Sequence, residues 1–328
     1  MALSIISFLI AFLATLIAIP IWIRKAKAIG LVGKDIHKLQ KSEIAEAGGI
    51  VVIFAAVLGI FVYFFINTFI IKVEFKFIEM LAATITLILA GFIGFIDDIL
   101  GWKRGLKQFY KFLLSIPIAI PLAVVNAGTS DMNLPFIGIV DFGLIFPLII
   151  IPITIIFSTN AFNMLAGYNG LEAGNGIIIL STLAFLIWGA GDFSSAVLAL
   201  IMVASLVAFL FFNKNPSRIF PGDTLTYSVG AFIASIAIIG NAEKALFLLF
   251  IPYTIEFILK ARGKFKVESF AKLEKDGTLT QPNEKFYSLT HEKIWLIKKF
   301  KKRVYENEVV YSIWLLEIIL ALLAIFFI

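Results

Sequence analysis

The sequence predicts an all-α polytopic membrane protein: ten transmembrane helices, with both termini on the external side. Three observations carry that expectation. Of the 328 residues, 60% are hydrophobic and 15% charged, with a mean hydropathy of +0.99; a soluble domain is about 45–50% apolar and about 25% charged. Ten apolar stretches approach the ~20 residues that a helix needs to cross the hydrocarbon. All but three of the 28 Lys and Arg (Lys72, Lys76 and Lys244) fall on alternate connections, as cytoplasmic loops require.

The first stretch, 1–23, has no basic residue before it and Arg24, Lys25 and Lys27 just after it. That places residue 24 inside and the N-terminus outside, and the missing basic n-region separates it from a signal peptide. The stretches 47–71, 77–96, 109–126, 142–159, 172–190, 193–212, 224–240, 243–260 and 308–328 then alternate. In the third, Gly91 and Gly94 share one face in the small-xxx-small manner that lets helices approach. Glu256 in the ninth can pair with Lys260 one turn on, whereas Glu317 in the tenth has no evident partner.

The inner loops are 24–46, 97–111, 160–176, 213–224 and 260–307. Outer connections are short, and the longest, 127–141, has the turn chemistry of a small hairpin. A small β-hairpin is also expected in the last inner loop, turning at Asp276-Gly277. The basic segment 292–305 with Trp295, Phe300 and Tyr305 suits an anionic interface, or is plain positive-inside charge. His291 before it reads as a helix-start residue. No internal repeat divides the chain, so 1–328 is expected to be a single membrane-embedded domain.

Composition excludes several chemistries. There is no cysteine, hence no disulfide, zinc thiolate or thiol nucleophile. Two histidines, His37 and His291, are too few for a histidine-rich metal site. The +6 charge and pI near 9.3 reflect loop asymmetry and do not point to nucleic acid.

Unusual segments gather on the inner side. Asp97 and Asp98 end an almost uncharged run and precede Lys103, Arg104 and Lys107. Residues 160–176 hold Asn160, Asn163, Asn169 and Asn175 with four glycines and no Lys or Arg. Such a stretch is either a break between two helices or a ligand loop, with glycine backbone open to close approach and amides able to read a base. Gly222-Asp223-Thr224 opens an apolar run and is either a helix cap or a metal-binding carboxylate. Taken together, acids, amides and a lysine on one face suit Mg²⁺, with Mn²⁺ an alternative, because hard oxygen ligands and substrate phosphates bind it.

The set DDILGWKRGLK, NAFNMLAGYNGLEAG and FPGDTLTYSVG, residues 97–107, 160–174 and 220–230, resembles the polyprenyl-phosphate N-acetylhexosamine-1-phosphate transferases. It is similar to the dolichyl-phosphate branch more than to the bacterial one. Bacterial members read NxxDGLDGL, where this chain has Ala166 and Asn169 at the two aspartate positions. In the first loop, GKDIHK and AEAGG, residues 33–38 and 45–49, fit the same branch. Gly101 departs from it, and the branch's Arg-His-Arg sugar motif has no clear copy, Arg262 and Lys264 being the nearest basic residues.

The resemblance implies ten helices and a cytoplasmic active site in the cell membrane, with a homodimer allowed for. It implies that a polyprenyl or dolichyl phosphate attacks a UDP-N-acetylhexosamine, UDP-GlcNAc above all, releasing UMP in a first step of glycan assembly. By motif position, Asp97, Asp98 and Lys107 would be catalytic, and Asn163 and Asp223 would hold the metal. Glu46, Gly167, Asn169 and Phe220 would contact the nucleoside, and Arg262 the sugar. On the residues alone, a lipid-phosphate flippase or an intramembrane prenyltransferase remains an alternative.

Overall fold

The computed structural model describes residues 3–101, 108–134 and 138–328. All ten apolar stretches fold as helix. They form α1 (Ser4–Ala28), α2 (Gly49–Phe65, continued by π-helical turns to Ile71), α3 (Phe77–Leu100) and α4 (Gln108–Val124). Next come α5 (Ile151–Met164, led in by π-helical Phe146–Ile150), α6 (Leu171–Gly189), α7 (Phe193–Asn213) and α8 (Gly222–Ile239). The chain ends with α9 (Glu243–Leu249), α10 (Ile251–Arg262), the short amphipathic α11 (Leu289–Phe300) and α12 (Glu306–Phe327). Among the described residues, eight helical runs are long and apolar enough to cross a membrane.

The remaining two stretches fall short of that length among the described residues. The described part of α4 is 17 residues long and carries Pro117 and Pro121. The ninth stretch divides at Phe250 into α9 and α10. Pro252 has no N–H to continue the ladder, and it sits in the first turn of the restarted helix, where none is needed.

The helix α8 is the axis of the molecule. From Thr224 to Ile239 every side chain is buried, against α3, α5, α2 and α7 around it. The close approach of α3 depends on Gly94: a Cβ there would lie 2.3 Å from the carbonyl oxygen of Asp223. The small-residue face expected from the sequence thus brings the inner end of α3 against the first turn of α8.

Among the described residues, three antiparallel pairs decorate the helices. One hairpin, β3 (Asp131–Leu134) and β4 (Gly138–Asp141), lies within the expected 127–141. The 260–307 loop holds β5 (Lys272–Leu273) and β6 (Leu279–Thr280), with Gly277 at φ +81° in the turn. A further pair, β1 (Val32–Lys34) and β2 (Glu43–Ala45), was not foreseen. It laces the first loop to the segment before α8, since Phe220 donates its N–H to Ala45 and Gly48 donates to Phe220, both near 2.9 Å.

The start of α11 is held from α10. Glu256 approaches Lys260 at 3.6 Å as expected, and its other oxygen accepts the Leu289 N–H at 2.6 Å and the Ser288 hydroxyl at 3.0 Å. His291 is fully buried one turn in, and burial pulls its imidazole down to about 4, so it adds no charge to the basic outer face. Glu317 is fully buried, with no hydrogen bond to either carboxylate oxygen among the described residues; nothing in the structure explains it.

Candidate active site

The C-terminal ends of α3 and α5, the N-terminal ends of α4 and α8, the first loop and the last loop enclose a cavity of about 620 Å³. One end is lined by side chains from helix termini, the other by loop amides.

The helix end begins with an exchange between α3 and α8. The first N–H groups of a helix have no partner within it, and those of α8 are satisfied by α3. Asp98 accepts the Asp223 N–H at 2.7 Å, the Thr224 N–H at 3.1 Å and the Thr224 hydroxyl at 2.5 Å. A Cβ on residue 222 would fall 2.2 Å from Asp98 Oδ2, and Gly222 has φ +71°, so only glycine fits beside the carboxylate. Asp98 is therefore the cap, and the Asp223 side chain is left to face the cavity.

There Asp223 meets a cation. The ammonium of Lys111, one turn into α4, lies 2.5 Å from Asp223 Oδ2 and 2.7 Å from Asp97 Oδ2. Asn163, near the end of α5, turns its amide nitrogen to Asp223 Oδ2 at 3.5 Å, and its oxygen accepts the Thr226 hydroxyl at 2.8 Å. Two carboxylates thus share the Lys111 ammonium.

The loop end is ordered differently. Between α5 and α6 the backbone leaves the helix at Leu165 and re-enters it after Gly170. Glu172, buried in the first turn of α6, reaches back to accept the Gly167 N–H at 2.6 Å. The Asn169 N–H donates to Glu306 Oε1 at 2.8 Å, and its side-chain nitrogen donates to Asp35 Oδ2 at 2.8 Å and Glu306 Oε2 at 3.3 Å. Lys38 closes on Glu306 at 2.6 Å. Tyr168 packs on the His37 ring with centroids 4.4 Å apart. Glu46 and Phe220 also line the cavity. Burial, and secondarily the charge of Asp223, push the Glu46 carboxyl above the usual range.

Asp35, His37 and Glu306 bring ligand-capable atoms within 4.8 Å of one another, the spacing of a metal site. Those atoms are already engaged. Asp35 Oδ1 accepts the His37 N–H at 3.0 Å, and His37 Nε2 accepts the Ala271 N–H at 3.2 Å. Together with the Asn169 and Lys38 bonds, this makes the triad a hydrogen-bonded clamp.

The profile of glycosyl transferase family 4 matches residues 80–241. A Saccharolobus solfataricus protein, named provisionally as a UDP-N-acetylglucosamine–dolichyl-phosphate N-acetylglucosaminephosphotransferase, is 39% identical over 98% of this chain and 94% of its own. The chain belongs to glycosyl transferase family 4. A Sulfolobus acidocaldarius protein with the same provisional name is 38% identical over 98% of this chain and 95% of its own. A phospho-N-acetylmuramoyl-pentapeptide-transferase of Listeria monocytogenes is 32% identical over 78% and 84% respectively.

For this family 4 chain, most residues singled out from the sequence share the one cavity. Asp97, Asp98, Glu46, Asn163, Gly167, Asn169, Phe220 and Asp223 all line it. Arg262 does not; its guanidinium stands over the Tyr287 ring, 5.8 Å from the centroid, while Lys260 and Lys266 line the wall on that side. Lys107 lies outside the described residues. Four residues around the site escaped sequence reasoning, among them Asp35, which stood inside the first-loop motif. Lys111 was readable as a lone cation at the mouth of an apolar run. Glu172 stood inside a quoted motif. Glu306 gave no local signal, because its partners lie far away in sequence.

Proposed function

We propose that the chain transfers N-acetylglucosamine-1-phosphate from UDP-GlcNAc to a dolichyl or related polyprenyl phosphate, releasing UMP. The observation that carries this is the meeting of Asp97, Asp223, Asn163 and Lys111 in one cavity with the amide-rich 165–170 loop. A charged phosphoryl-transfer end thereby adjoins a nucleoside end. The near full-length similarity to the two archaeal proteins supports the same reading.

An oxygen of the acceptor phosphate attacks the β-phosphorus of the donor. The bond from that phosphorus to the bridging oxygen breaks, UMP departs with its electrons, and the sugar C–O bond is untouched. A phosphate monoester has a second pKa of about 6 and is mostly dianionic at neutral pH, so little base catalysis is needed. Positioning and charge stabilisation dominate such reactions. Lys111 places a fixed positive charge beside the phosphates. Asp98 acts as a positioning residue through the first turn of α8, and Asp97, the cavity-facing member of the pair, takes the proton of any acceptor still protonated. Asn169 and Phe220 hold the base.

A divalent cation, Mg²⁺ or Mn²⁺, fits the helix end. Asp97 and Asp223 already share a cation in the Lys111 ammonium, and with the Asn163 amide oxygen they offer the hard ligands such ions prefer. When bound, the ion would neutralise charge on the diphosphate. We further infer one membrane-embedded domain of ten spans, both termini external and the cavity open to the cytoplasm, since the basic residues crowd that side.

The test is direct. Purified protein with polyprenyl phosphate, UDP-GlcNAc and Mg²⁺ should yield UMP and a lipid-linked diphospho-sugar in equal amounts. Inorganic phosphate, free GlcNAc or no product would overturn the reading.

A further inference from the structure

The structure fixes the orientation of the Asn169 amide through two carboxylates, Asp35 and Glu306, that lie outside the three motifs. Its NH₂ group donates to Asp35 at 2.8 Å and to Glu306 at 3.3 Å. Oxygen and nitrogen of an amide are assigned from their surroundings, and here only one assignment works: turning the amide over would set its oxygen against two carboxylates. Asp35 is 5% exposed, Glu306 4% and Asn169 6%, so water cannot readily relieve that contact. The carboxylates are themselves fixed by the His37 N–H and by Lys38. With both N–H bonds used, Oδ1 is the amide atom left to the cavity that Asn169 lines, and it accepts nothing from any described residue.

We propose that Asp35 and Glu306 set nucleobase specificity by holding Asn169 as a pure hydrogen-bond acceptor toward the base. This rests on the reading that the cavity binds a uridine nucleotide. Uracil carries a hydrogen on N3 and can donate to Oδ1. Cytosine has a bare N3 with a lone pair, which meets the Asn169 oxygen as acceptor against acceptor. A polar site left unpaired by the wrong ligand discriminates strongly. Asp35 and Glu306 are positioning residues, acting through Asn169. They also join the first loop to the start of α12, so the base is read by an assembly of three distant segments.

The test compares UMP with CMP binding to the full-length protein by calorimetry. Wild type should prefer UMP by about 100-fold or more, in line with sites built to pair a ligand hydrogen. In the doubly substituted Asp35→Asn, Glu306→Gln protein, neighbouring amides can present either edge, so Asn169 can turn over. The UMP-to-CMP ratio should then fall to within about tenfold, as one charge-assisted hydrogen bond allows. A merely structural clamp would weaken both nucleotides alike and leave the ratio intact, which would overturn the inference. Should the double variant not fold, Asn169→Ala gives the same readout, since removing the acceptor should level the two affinities; a retained preference there also overturns it. Equal affinities in wild type refute the orientation argument alone. Binding of neither nucleotide refutes the uridine-donor reading, and the inference with it.

Discussion

At the helix end of the cavity, Asp97 and Asp223 aim their oxygens at a single ammonium. At the loop end, Asp35, Glu172 and Glu306 direct theirs to backbone and amide N–H groups. The same residue type therefore does opposite work a few ångströms apart. On the helix side the carboxylates Asp97 and Asp223 are turned to a cationic group that lines the cavity with them. On the loop side their charge is absorbed in fixing backbone and amide N–H groups. Asp98 marks the border: it sits beside Asp97 in sequence but behaves like a loop-end carboxylate, capping α8. Adjacent position on a helix does not decide role; what each side chain faces decides it.

The sharpest way to break this comparison is to neutralise the cavity-facing acid of α8. Asp223→Asn keeps the shape and removes the charge, and should cut turnover by about 10³-fold, several kcal/mol of lost electrostatic stabilisation, while the folded fraction in detergent is unchanged. Near-normal UMP release from that variant would remove Asp223 from the reaction. The next effect separates two lysines. Lys111→Ala should lower kcat by about 10²-fold, the scale of losing one fixed charge at the reacting group, and Lys107→Ala should do much less. The reverse ranking would return the phosphate contact to the residue that motif spacing suggested. The smallest effect belongs to the loop end. Glu172→Gln leaves an acceptor for the Gly167 N–H without its charge, and should raise KM for UDP-GlcNAc roughly tenfold with kcat nearly constant. A fall in kcat at constant KM would show that the two ends are not functionally distinct.

Much of the site was legible because motif residues sit where helices end. Asp97-Asp98, Asn163 and Asp223 each lie at the inner end of an apolar run, and the alternation of basic loops assigned those ends to one side. Lys107 was named for its match to the resembled family's phosphate-binding lysine, nine residues past Asp98, and it lies outside the described residues. The structure brings Lys111 to the acids, because α4 begins before it and its first turn faces the start of α8. Arg262 was nominated as the nearest basic residue to a missing motif, but α10 carries it toward Tyr287, away from the cavity.

The sequence by itself determined the apolar helices, the basic asymmetry between loops, the two expected hairpins and the chemical inventory of the inner face. These follow from local composition and from the cost of placing charge or open backbone in hydrocarbon. Only the tertiary structure decided which aspartate caps a helix, which lysine bridges the acids, and which edge of Asn169 is held by Asp35 and Glu306. Those outcomes depend on contacts between residues more than a hundred positions apart, such as Asp98 with Thr224 and Glu306 with Asn169. They depend on close approaches at Gly94 and Gly222 that a Cβ would block, and no periodicity along the chain records a distance between helices.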